Sequence, residues 1–219
     1  MDTRKQEPRW ERRKDARPQE LIAAALELFV ERGFAATRLD DVAARAGVSK
    51  GTLYLYFDSK EALFKEAIRT SIVPAIGEAE QFMERFEGSA SDLIRSIVMG
   101  WWKLIGSTPA GGIPKLITGE AGNFPELAQF YHDEVVVRAL GMLGRALKRG
   151  VDAGEFRAID GDAAVLVMVA PLVHYAIWSH SLAPCAQKHI DAERYFGTYL
   201  DLLFNGLVAP GSRKAHGGK

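Results

Sequence analysis

The segment from Ser49 to Tyr56 reads SKGTLYLY, and its polar members suit contact with a phosphodiester backbone and with base edges. Ser49, Thr52, Tyr54 and Tyr56 carry hydroxyl donors, and Lys50, next to Gly51, adds a compact cation. No Asp or Glu lies between Val42 and Phe57 although the chain holds 28 acidic residues, so nothing in this stretch repels phosphate. Phosphate contacts there supply affinity and register, and a few base contacts supply sequence preference. A helical hairpin with merely solvated polar residues is the competing reading of the same pattern.

Such a segment works only if its neighbours hold it rigidly. Two short helices that cross closely need a small residue at the crossing, a glycine in the turn and apolar anchors on both sides. Ala43, Gly47, and the set Val42, Ala46, Val48 and Leu53 meet these demands between Asp40 and Phe57. Ser49 is suited to cap the second of the two helices, running from Lys50 through Phe57. Upstream, Leu21, Ile22, Ala25, Leu28 and Phe29 recur at helical spacing between Arg17 and Gly33, with Pro18 in the first turn. Thr37-x-x-Asp40 predicts a capping box for a helix over Leu39 to Ala46. Downstream, Asp58 or Ser59 caps a helix whose stripe of Leu63, Phe64, Ala67, Ile68 and Ile72 runs to Pro74 and links two domains.

At these residues the chain resembles the TetR family of repressors. The likeness is ungapped from Arg17 to Phe64 and rests on Gly33-Phe34, Ala43 to Gly47, Ser49-Lys50-Gly51-Thr52-Leu53-Tyr54 and Tyr56-Phe57. A weaker likeness to one subgroup's C-terminal domain lies in GEAGNFPELAQFYHDEVV, Gly119 to Val136. One departure is Arg38, where the family usually has a capping Ser or Thr; Thr37 is expected to take over the cap and free Arg38 for phosphate. The resemblance implies an all-α homodimer that binds a palindromic operator in double-stranded DNA and releases it when an effector binds the C-terminal domain. Carried onto this chain, Lys50, Tyr54, Tyr56 and Lys60 contact phosphates, and Thr52 and Leu55 lie near base edges. Thr37, Arg38, Ser49 and Gly51 complete the expected DNA-binding set.

Beyond residue 64 helical patterns recur near Ala75 to Phe86, Ala90 to Ile105, Pro114 to Ala121, Phe124 to Gly150, Asp160 to Leu182 and Asp191 to Val208. No period-two stretch argues for a strand, so the expected fold is all-α. The expected division is an arm over 1–16, a helix-turn-helix domain over 17–63, an effector-binding and dimerisation domain over 64–209 and a tail over 210–219. Residues 1–17 carry seven basic residues against four acidic ones, and the arm reads either as a solvated tail or as a phosphate-contacting extension. Aromatic and adaptable side chains concentrate in the middle of the chain, where the resembling family holds its ligand cavity. Phe82, Phe86, Trp101, Trp102, Ile105, Leu116, Phe124, Tyr131, Met168, Tyr175 and Trp178 are therefore candidates for an apolar effector pocket, or for plain core. Glu120 and His174 join them because each stands in an apolar stretch where it needs a partner. Pro171 is expected to kink its helix. Val165, Val169, Leu172, Tyr195, Tyr199, Leu202 and Leu203 are the expected dimer interface, since the last two long helices carry more apolar surface than one intramolecular face uses.

Other function classes find little support. Lys plus Arg equals Asp plus Glu at 28 each, so any nucleic-acid surface is local. Single Cys185 and His residues without HxxxH spacing give no metal or redox motif, and no GxSxG, Walker A or HExxH signature marks an enzyme. No cofactor is expected. The N-terminal stretch lacks an apolar signal region, and the run from Ala163 to Val173 is short for a membrane span, so a cytoplasmic protein is expected. A constitutive DNA-binding protein without an effector is the alternative to the ligand-released repressor.

Overall fold

In a computed structural model the described residues, 17–205, form eleven α-helices joined by short turns, with no strand among them. The arm over 1–16 and the tail over 210–219 fall outside the described residues. Helices α1 (Arg17–Arg32), α2 (Leu39–Arg45) and α3 (Lys50–Tyr54) build the helix-turn-helix. Gly33 and Gly47 end α1 and α2 with φ of +86° and +67°, a left-handed backbone that side chains with a Cβ resist. Ser49 caps α3 by accepting the Thr52 amide, and Ser59 caps α4 (Lys60–Ser71) by accepting the Ala62 amide.

The expected capping box at Thr37 does not form. Arg38 holds the N-cap position of α2 with no side-chain cap bond, while the Thr37 hydroxyl turns inward and donates to the carbonyls of Gly33 and Leu28. The hydroxyl is spent on carbonyls at the end of α1 and so cannot reach the open amides at the start of α2. Helix α3 is also shorter than expected, ending at Tyr54. Pro74 starts a new helix, α5 (Val73–Glu84), directly behind α4.

The larger layer contains α6 (Ala90–Trp101), α7 (Ile113–Glu120), α8 (Pro125–Tyr131), α9 (Val137–Asp152), α10 (Gly161–Ser179) and α11 (Ala192–Asn205). Helix α6 continues into a π-helical turn over Trp102–Gly106, and a second π-helical turn, His132–Val136, joins α8 to α9. Glu155 holds the start of α6 by accepting the Ser91 hydroxyl and the amides of Ser91 and Ala90, bonds that keep its carboxyl below the usual carboxylate range. Helix α10 continues through Pro171, and the hydroxyls of Tyr199 and Tyr195 donate to the carbonyls of Met168 and Pro171 beside it. By length and composition α10 could cross a membrane, yet Val165, Met168, Leu172, Tyr175 and Ala176 are buried in protein.

Two apolar clusters fill the interior. The first unites Leu21, Phe29, Phe34, Leu53 and Phe64 of the helix-turn-helix and α4 with Ile113, Leu116, Leu127 and Met142 of the larger layer. The second joins α6, α9, α10 and α11 around Leu93, Val98, Leu143 and Phe196. A Cβ at Gly112, in the turn before α7, would collide with the Val30 side chain, so glycine there lets α1 sit directly against the larger layer.

Candidate functional site

The helix-turn-helix presents a compact polar surface. Leu53 and Phe57 anchor the α3 segment in the first cluster, which turns Tyr54, Leu55 and Tyr56 outward. Leu55 is 81% exposed, too open for a core residue of this size. Arg38, Ser49, Lys50 and Gly51 are exposed on the same module, and the Thr52 hydroxyl pairs with that of Ser49 at 2.8 Å. Lys50 is held by Asp40, Nζ to Oδ1 at 2.8 Å, and that bond raises its affinity for a proton above the ordinary lysine value. Its ammonium also lies 5.9 Å from the Tyr54 ring centre.

Two residues expected on the DNA surface turn towards the protein's own backbone instead. Thr37 is 1% exposed and spends its hydroxyl on backbone carbonyls. Lys60 reaches back under the α1–α2 loop, where Nζ donates to the carbonyls of Phe34 (2.7 Å), Thr37 (3.1 Å) and Ala35 (3.2 Å) and sits 4.4 Å from the Phe34 ring centre. Burial pulls this ammonium below the usual lysine range, with the nearby Glu61 and Glu120 charges opposing. The sequence hid both placements because the carbonyls that hold them become available only where α1 stops.

Between the two apolar clusters lies a cavity of about 840 Å³. Its walls come from α5, α6 and its π-helical turn, α7, α8 and the second π-helical turn, α9 and α10, represented by Ile76, Trp101, Ile117, Tyr131, Leu143 and Val169. The expected pocket residues Phe82, Trp101, Ile105 and Tyr131 line it. The others lie elsewhere. Trp102, Met168, Tyr175 and Trp178 pack in the second cluster, where Trp102 and Tyr175 meet edge to face at 5.0 Å and Tyr175 stacks on Tyr195 at 4.4 Å. Leu116 is core, Phe86 borders an outer groove with Arg85 and Glu87, and His174 is exposed. Helical spacing shows which residues face inward but not which of two adjoining interiors they enter.

Glu120 and Phe124 also leave the cavity, and they join the two layers. The Glu120 carboxylate accepts the Ala35 amide at 3.0 Å, and the Phe124 ring meets Phe34 edge-on at 4.8 Å. Glu120 thus finds its partner in the α1–α2 loop. Among the expected dimer residues, Val165 and Leu172 are buried within the chain, and Val169 and Leu203 are partly buried against the second cluster. Tyr195 and Tyr199 are tied to α10 carbonyls, which leaves Leu202 as the exposed member. The uncovered apolar stripe of α10 consists of Ala163, Leu166, Val167 and Ala170.

A helix-turn-helix carrying an exposed, hydroxyl-rich second helix on a larger helical layer defines a DNA-binding transcriptional regulator. Residues 21–67 match the model of bacterial regulatory proteins of the tetR family. The transcriptional repressor KstR2 of Rhodococcus jostii is 39% identical over 199 residues, spanning 90% of this chain and 94% of that one. The chain belongs to the TetR family. Its fold is shared with FadR of Bacillus halodurans (TM-score 0.71, 21% identity, covering 93% of this chain and 98% of that one). FadR of Bacillus subtilis, solved in complex with stearoyl-CoA, is also similar (TM-score 0.68, 21% identity, 87% and 99%).

Proposed function

We propose that the chain is a homodimeric repressor that holds a palindromic operator through Arg38, Ser49, Lys50, Gly51, Thr52, Tyr54, Leu55 and Tyr56, and releases it when an apolar effector fills the cavity. The observation that carries this reading is the double engagement of α7: Pro114, Ile117 and Thr118 line the cavity, while Glu120 at the end of the same helix grips the Ala35 amide. A ligand that displaces the α7 wall therefore acts on the loop that positions α2 and α3. Only a ligand with unequal affinity for the two arrangements shifts DNA binding.

The largely apolar lining favours a hydrophobic effector, and the volume lies within the range of small-molecule sites. The stearoyl-CoA bound to the similar Bacillus subtilis FadR supports an effector with a long apolar portion. For the dimer, the support is the stripe of Leu166 and Val167 on α10, 58% and 68% exposed, together with the exposed Leu202 of α11. The test is to titrate long-chain acyl-CoA and other hydrophobic compounds against the operator complex, following Trp fluorescence and DNA anisotropy together. Quenching with parallel DNA release is the expected result. Quenching with unchanged DNA affinity overturns effector control and leaves a constitutive DNA-binding protein.

A further inference from the structure

The cavity contains a polar group without a partner. Three hydroxyl side chains line it. Ser96 donates to the carbonyl of Asp92 at 2.8 Å and Thr118 to that of Pro114 at 2.7 Å, so both protons are committed to their own helices. Tyr131, on α8, has no hydrogen-bond partner among the described residues, yet its hydroxyl is not sealed away. Tyr131 is part of the cavity wall, and the burial of its ring there pushes the phenol well above the ordinary tyrosine range. A ligand oxygen at the cavity wall would give this hydroxyl the partner that the chain itself does not supply.

The charges around the cavity narrow the ligand further. Among the described residues no Lys or Arg lines it. Glu78 is an exposed carboxylate on the lining, and His132, also exposed, is held 3.0 Å from Asp133. A carboxylate or phosphate drawn into this volume would lose its water and meet no cation, a penalty of several kcal/mol for an unpaired ion.

We propose that the portion of the effector entering the cavity is uncharged and carries a hydrogen-bond acceptor, a ketone, alcohol, ester or thioester oxygen, that accepts from the Tyr131 hydroxyl. This rests on the reading of the cavity as the effector site and specifies the chemistry that site selects. An ionised head group on such a ligand stays outside the cavity, and a free fatty acid is a poor occupant at neutral pH.

The test uses the full chain, its Tyr131→Phe variant and the neutral fluorophore N-phenyl-1-naphthylamine, displaced by 2-dodecanone or by dodecanoate at pH 7.5. Both proteins should take up the fluorophore equally. The native chain should bind the ketone at least about tenfold tighter than the carboxylate, and Tyr131→Phe should weaken the ketone about three- to tenfold, as loss of one neutral hydrogen bond does. The inference is overturned if dodecanoate displaces as well as the ketone, or if Tyr131→Phe binds the ketone unchanged. Those outcomes leave an apolar effector site in place. Failure of the native chain to take up the fluorophore removes the site itself, and this inference with it.

Discussion

The carboxylate of Glu120, the last residue of α7, accepts the main-chain N–H of Ala35 at 3.0 Å, across 85 residues of sequence. Beside it Phe124 packs edge-on against Phe34, and Lys60 threads beneath the same loop. A helix that walls the cavity therefore ends on the loop preceding α2 and α3. Replacing Glu120 by Ala should leave effector and operator binding each measurable while uncoupling them. Coupling between sites spans roughly 5–150-fold in affinity, and we expect Glu120→Ala to cut the native value at least about threefold. Operator anisotropy with and without saturating effector reads this out, and an unchanged ratio would show that α7 signals by another contact.

Lys50 and Asp40 form an exposed ion pair at 2.8 Å, so the proposed phosphate-binding cation begins with a carboxylate in the phosphate's place. Lys50→Ala should weaken operator binding and flatten the slope of log K against log salt by about 0.9, the share of one phosphate contact. Asp40→Asn should tighten binding severalfold at low salt, because Lys50 then reaches a phosphate without first giving up its ion pair with Asp40. Identical salt slopes for Lys50→Ala and the native chain would remove Lys50 from the DNA surface.

Lys60 should behave as a stabilising residue. Its ammonium satisfies carbonyls of Phe34, Ala35 and Thr37, and hydrogen bonds from charged donors contribute about 1.5–3 kcal/mol each when both groups are withdrawn from water. Lys60 is only partly buried, so we expect Lys60→Met to cost about 1–2 kcal/mol in all, read as a lower midpoint in urea unfolding. The salt slope of DNA binding should stay unchanged. A flatter slope with unaltered stability would return Lys60 to the phosphate-contacting set.

The Glu80–Arg138 pair supplies a pH test. Arg138 donates to Glu80 at 2.6 Å and holds its carboxyl below the usual range. A lowered carboxylate pKa contributes stability that is present above the unfolded value near 4.5 and is lost as pH falls through the folded value. Glu80→Gln should therefore narrow its stability deficit relative to the native chain as pH drops from 6 towards 3. A deficit constant over that span would mean the pair adds nothing to folding.

The helix-turn-helix was legible because everything that defines it is local: Gly47, the Ser49 cap and the Val42, Leu53 and Phe57 anchors lie within a few turns of one another. The all-α character was legible from periodicity for the same reason. Lys60 and Thr37 were not, because their partners are carbonyls exposed by the end of α1, a feature of geometry and not of residue type. Trp101 and Trp102 are adjacent in sequence, yet one lines the cavity while the other packs against Phe196 in the second cluster. Nothing in a helical repeat separates two interiors divided by a single wall. The apolar stretch around Glu120 shows that it needs a partner, but that partner lies in another layer of the fold.

The dimer reading turns on Val167 and Val165, which stand on opposite sides of α10. Val167 is 68% exposed and Val165 is 7% exposed, so a charge at the first meets water in the monomer and a charge at the second meets the core. Val167→Asp should accordingly keep the helical circular dichroism and unfolding midpoint of an isolated subunit while shifting the mass in sedimentation from dimer to monomer. Val165→Asp should lose folded structure altogether, because an unpaired carboxylate among apolar side chains costs several kcal/mol. Operator binding separates assembly from folding. A folded Val167→Asp monomer presents one recognition helix instead of two, gives up the gain from simultaneous engagement of both half-sites, and should lose at least about a hundredfold in apparent affinity. If Val167→Asp sediments as a dimer and binds the operator normally, the exposed stripe on α10 is not the subunit interface, and the two-half-site model of operator recognition loses its structural basis.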